Sequence, residues 1–133
     1  MDRSILTMAA RMMLTDDGRI IEVRFHEGRD LDVPGLMEVQ KRRGELTRAR
    51  CGMLSIFPPG TLSELAVMDV DFFGETNANE QLIALAIVTA DDLGEAMSSL
   101  YYGYHPQAFP TRIFRDGPEA RGWLLEMIAR DGV

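Results

Sequence analysis

Apolar and polar residues along this chain fall into two patterns that take turns. From residue 19 to 25, Ile21, Val23 and Phe25 alternate with Glu22 and Arg24, the two-residue period of a half-buried strand. Residues 11–14 form a shorter β candidate just before it. Asp16-Asp17-Gly18 joins the two, since Asp-Gly supplies the positive φ of a tight hairpin turn. Residues 51–57 and 82–88 read differently. Both are nearly continuous apolar runs, as expected of strands covered on two faces. Residues 111–114 complete the strand set.

Between the strands the spacing turns helical. Asp32-Val33-Pro34 opens a helix with an acceptor at its cap and proline in its first turn, and Leu36, Val39, Gln40, Arg43 and Leu46 follow at helical intervals. Thr61-Leu62-Ser63-Glu64 has the capping-box form. It predicts a second helix with Leu62, Leu65, Ala66, Asp69 and Phe73 on one stripe, ended by Gly74. Asp92 and Glu95 open a third, with Leu93, Ala96, Met97, Leu100 and Tyr104 on its core side. Asp116, Pro118 and Glu119 start a fourth, whose stripe is Ala120, Trp123, Leu124, Met127 and Ile128. The order β-β-α-β-α-β-α-β-α predicts an α/β fold. Its mixed sheet has parallel members joined by right-handed crossovers, the hairpin toward one edge and helices packed on the sheet. One domain over residues 11–130 is expected, with residues 1–10 as a flexible N-terminus.

Composition narrows the function classes. With 133 residues, 46% of them hydrophobic, the chain can build one core without a metal or disulfide. A net charge of −7 disfavours nucleic acid and anionic membrane partners, and no apolar run is long enough for a membrane helix. Cys51 is the single cysteine and sits in an apolar run, so it reads as a small buried hydrophobe. One thiol and no secretory leader point to the cytoplasm.

The search for catalytic sets returns little. His26 and His105 have no metal-ligand spacing, and there is no GxSxG, GxGxxG or phosphate-loop signature. Asp16/Asp17 and Asp91/Asp92 read as turn and cap residues bonded to backbone N–H groups. No enzymatic role, metal or cofactor is expected; a catalytic site would have to be assembled from His105, Tyr104 and Arg112. Two candidate sites remain. Thr61 and Ser63 stand at a predicted helix start, where a phosphate would be stabilised, although a plain N-cap role is the simpler reading. Met97, Tyr101, Tyr102, Tyr104 and His105 form a candidate ligand or partner groove.

The segment Phe109-Pro110-Thr111-Arg112-Ile113-Phe114-Arg115-Asp116, followed by Glu119-Ala120 and Trp123-Leu124, together with the element order, resembles the small bacterial STAS-like proteins, relatives of the sporulation anti-anti-sigma factor. The resemblance implies a non-enzymatic interaction or regulatory module with an as yet unidentified protein partner. It also implies a homodimer, which an uncovered edge strand or apolar helix face would favour. Some relatives are switched by phosphorylating a Ser or Thr at the start of the second helix, which here falls near Thr61. The family's Asp-Ser-x-Gly segment is replaced by Phe57-Pro58-Pro59-Gly60-Thr61, with no Asp before the hydroxyl. STAS-like folds also resemble CRAL-TRIO lipid-transfer domains, which implies the alternative: a binding module for a small apolar, lipid-like ligand between helices and sheet.

Overall fold

The computed structural model describes residues 4–131. Six strands form one sheet in sequential order: β1 (Ser4–Leu6), β2 (Ala10–Thr15), β3 (Ile20–Phe25), β4 (Cys51–Ile56), β5 (Leu82–Val88) and β6 (Thr111–Phe114). The first three pair antiparallel and β3 to β6 pair parallel. The two apolar runs are adjacent strands in the middle of the sheet, with Met53 opposite Leu85 and Ile56 opposite Val88. The β2–β3 turn holds Asp16, Asp17 and Gly18 all at positive φ.

Helices α1 (Val33–Leu46), α2 (Phe72–Glu75), α3 (Ala78–Gln81) and α4 (Asp92–Tyr104) contribute to the core on one face, and α5 (Gly117–Asp131) covers the other. Same-handed crossovers between consecutive parallel strands require the first arrangement. Asp32 caps α1 by accepting from Gly35 N at 2.8 Å, and Asp116 caps α5 by accepting from Glu119 N at 3.0 Å. The predicted α5 stripe is the one that packs, with Trp123 against Phe114 at 5.7 Å between ring centroids.

Four expectations are corrected in detail. Ser4–Leu6 lies within the stretch expected to be flexible, yet it forms an edge strand on β2; residues 1–3 lie outside the described residues. Glu22, expected on a solvent-facing side of its strand, is buried beneath α5 and ion-paired with Arg24 and Arg121. The helix predicted from Thr61 does not form as one piece. Pro58 and Pro59 precede the segment, and Leu31 N donates to Leu62 O while Glu64 N donates to Leu31 O, which holds residues 62–64 extended. A 3₁₀ turn (Leu65–Asp69) and the short α2 and α3 follow instead.

The fourth correction concerns α4. Most of its predicted core stripe faces outward: Leu93, Leu100 and Tyr104 are 49%, 51% and 66% exposed, and of the stripe Met97 stays inward. Polar anchors set this rotation. At the N-terminus the Asp91 carboxylate accepts from Gly94 N at 2.8 Å and from Gly60 N at 2.9 Å. At the C-terminus Tyr101 Oη donates to Val70 O at 2.6 Å and accepts from Phe72 N at 3.2 Å, while His105 Nε2 lies 2.6 Å from Met68 O. Gly94, Met97, Ser98 and Tyr101 therefore turn inward.

Candidate functional site

That rotation leaves a cavity of about 90 Å³ between α4, α1 and the sheet. Its floor is the carboxyl-terminal end of the parallel strands. In the register, Ser55 lies opposite Val23 on β3 and Ile87 on β5. Phe25 and Thr89, two residues further along their chains, share that face with it. This is where open parallel sheets carry their ligands. Leu36 and Gln40 close one side from α1, and Met97, Ser98 and Tyr101 close another from α4. The segment after β4 supplies Thr61, Val67 and Phe73, and Phe57 stacks on Phe25 at 4.4 Å with 11° between the rings.

The space exists because small residues face one another. Ser55 and Thr89 on the sheet stand where Leu or Ile would fill a core, and Gly94 and Ser98 are the inward positions one turn apart on α4. The wall is mainly apolar. Among the described residues Asp91 is the only charged side chain on it, and no Arg, Lys or His lines it.

Two polar side chains in this wall carry hydrogen-bonding atoms that no described residue partners. Thr89 is 0% exposed and its Oγ1 has no hydrogen bond. Gln40 is 6% exposed, and its Oε1 accepts from Arg43 Nη1 at 2.5 Å. Arginine can only donate, so this contact fixes which end of the amide is oxygen. No described residue accepts from Gln40 Nε2, which is not sealed off as Thr89 Oγ1 is.

Tyr101 and Tyr102 stay protonated and Asp91 stays ionised at neutral pH. Burial, with only partial relief from the Phe72 N–H, pushes Tyr101 up to about 12, and burial raises Tyr102 well above 10. The Gly60 and Gly94 N–H groups hold Asp91 below the usual carboxylate range. Burial outweighs nearby Arg43 and Arg50 and raises Cys51 to about 11, so it is an inert core thiol.

The predicted groove is therefore brought together in part. Met97, Tyr101 and Tyr102 line the cavity. Tyr104 is exposed outside it, and His105 packs on Tyr101 at 4.8 Å between ring centroids with its ring bonded to Met68 O. Thr61 and Ser63 also line the cavity, but Thr61 caps no helix: its hydroxyl donates to Pro58 O at 2.8 Å, and Ser63 sits in a bridge with Leu31. Sequence reasoning missed Thr89, Ser55, Gln40 and the Gly94/Ser98 pair. Small residues at i and i+4 beside Met97 and Tyr101 were the available signal.

Among the described residues no group of His, Cys, Asp and Glu is arranged to hold a metal, and no helix is long and apolar enough to cross a membrane. Fold and site together define an α/β domain with a mixed six-stranded sheet and a mostly apolar cavity at its parallel strand ends. Residues 12–128 match the domain of unknown function DUF7793, and the chain belongs to that family. No curated protein and no solved structure matches it.

Proposed function

We propose that this chain is a non-enzymatic binding module that takes a small apolar molecule into the cavity between α1, α4 and the sheet. The observation that carries the reading is the cavity, walled mainly by hydrocarbon and aromatic rings and placed at the carboxyl ends of β3, β4 and β5. Unfilled space in a core forfeits dispersion contacts that a guest molecule restores. Its volume of about 90 Å³ is smaller than the roughly 150 Å³ engineered cavity that holds benzene, so a ligand larger than one ring extends through the mouth. The resemblance to STAS-like proteins, and through them to lipid-transfer domains, points the same way. Toluene added to the protein should receive magnetisation by saturation-transfer NMR. Ser98→Leu, which fills the space from α4, should weaken toluene binding by about tenfold, or 1.4 kcal/mol. Equal binding by this variant, with circular dichroism unchanged, contradicts the reading.

A second reading follows the interaction role of STAS-like proteins in the cytoplasm. Its supporting observation is the outward stripe Leu93, Leu100 and Tyr104 on α4, apolar surface that a second copy of the chain would cover in a two-fold dimer. Sedimentation velocity should then show a dimer that Leu100→Lys dissociates. A monomer at all concentrations contradicts it.

A further inference from the structure

We infer that the cavity selects an uncharged ligand whose hydroxyl or carbonyl oxygen is held by Thr89 at its floor, with Gln40 donating from the α1 wall. The inference rests on the proposed cavity function and goes on to name the polar group of the ligand.

Three observations carry it. The first is a pair of polar groups on the cavity lining, of which the Thr89 hydroxyl is the buried one. Thr89 Oγ1 is wholly buried and unbonded, which is uncommon because an unmet buried hydroxyl loses its hydration with nothing in return. Gln40 brings N–H donors from which no described residue accepts, with the amide direction set by Arg43. A hydroxyl that gives or takes one bond and an amide that only gives fit an oxygen carrying lone pairs.

The second is the charge of the wall. A carboxylate or phosphate would enter a mainly apolar space with no cation on its lining, past the Asp91 carboxylate. Arg43 stands behind Gln40, and its guanidinium is already spent on the oxygens of Gln40, Gln81 and Thr76. Losing hydration without a partner is costly for an ion and tolerable for a neutral oxygen. An ammonium at the floor would face the Gln40 donors, and the carboxylate on the wall, Asp91, already accepts from the Gly60 and Gly94 N–H groups.

The third is the surround. Ser55 shares the sheet face with Thr89, and Phe57, Met97 and Tyr101 stand around it, so a polar head at the floor has an apolar body above it.

The test compares four matched probes by ligand-observed NMR titration: toluene, benzyl alcohol, benzoate and benzylamine. Benzyl alcohol is expected to bind about fivefold tighter than toluene, the size of one net hydrogen bond. Benzoate and benzylamine are each expected to bind at least about tenfold more weakly than benzyl alcohol. Thr89→Val keeps the shape and removes the hydroxyl. It should bring benzyl alcohol to about the affinity of toluene while leaving toluene unchanged. Met127→Leu, on the opposite face of the sheet, should keep the advantage of the alcohol and serves as the control for general disturbance of the fold. If toluene binds and benzyl alcohol gains nothing, Thr89 is satisfied by water and the inference fails while the cavity reading stands. If benzoate matches benzyl alcohol, selection for a neutral head is overturned. If none of the four binds, both fall.

Discussion

Replacing Arg43 by alanine should cost about 3 kcal/mol of stability, among the largest losses any single change outside the apolar core would cause. Arg43 is almost fully buried on α1, and among the described residues its guanidinium is bonded to uncharged oxygens and to no carboxylate. Its Nε donates to Gln81 Oε1 at 2.7 Å, its Nη1 to Gln40 Oε1 at 2.5 Å, and its Nη2 to Thr76 O at 3.1 Å. Gln81 passes the connection on, donating to Thr47 O at 2.8 Å. One guanidinium thus ties α1 to the end of α2, to α3 and to the loop that leads into β4. Burial pushes its pKa down from the usual arginine value, yet arginine stays charged at neutral pH. Alanine leaves three carbonyl-type oxygens facing a gap, and each carries a desolvation cost of about 1 kcal/mol or more. Lysine keeps the charge but lacks the planar fork, so it should recover less than half of the loss. Urea unfolding at unchanged m-value measures both. A loss below about 1 kcal/mol for alanine would mean that water replaces the guanidinium freely.

Leu124→Ala should cost about 3 kcal/mol, and a small side chain placed at Gly52 should return part of it. Leu124 is fully buried where α5 crosses β4. That crossing is close because position 52 has no side chain: a Cβ there would lie 3.1 Å from Ile128 Cδ1 and 3.2 Å from Leu124 Cδ2. In the native background Gly52→Ala must push both side chains aside, and a cost of about 1 kcal/mol is expected. With Leu124 shortened the same methyl group enters the vacated space. The double variant should therefore be more stable than the sum of the singles predicts, by about 1 kcal/mol. Strict additivity would mean that α5 rests on the sheet without feeling Gly52. The effect should appear in stability alone, because this pair lies on the sheet face opposite the cavity.

These expectations trace how far the chain can be read without coordinates. Residues 51–57 and 82–88 were legible as central strands because only positions covered on both sides tolerate hydrocarbon at every residue. The α5 stripe was legible because Ala120, Trp123, Leu124, Met127 and Ile128 all pack into the one cluster between α5 and the sheet. The segment after Pro59 was not, because the backbone bonds between Leu31 and residues 62–64 come from outside the window in which a capping box is recognised. For α4 the hydrophobic pattern placed Met97 on the inner side correctly and Leu93, Leu100 and Tyr104 there wrongly. Its rotation is decided by Asp91, Tyr101 and His105, whose partners Gly60, Val70, Phe72 and Met68 are distant in sequence. The cavity is a consequence of that rotation, so only its walls at Met97, Tyr101 and Tyr102 could be anticipated. Thr89 was invisible as a site because nothing local marks a buried threonine as unbonded.

The central claim is that a neutral, mostly apolar molecule enters between α4 and the sheet ends. The most direct measurement is a two-dimensional amide NMR titration of the full chain with benzyl alcohol. The account predicts saturable shifts gathered at Ser55, Thr89, Gly94, Ser98 and Tyr101, with α5 and the β1–β2 edge unmoved. Shifts confined to Leu93, Leu100 and Tyr104 on the outer side of α4, or no saturable shift at all, would contradict it.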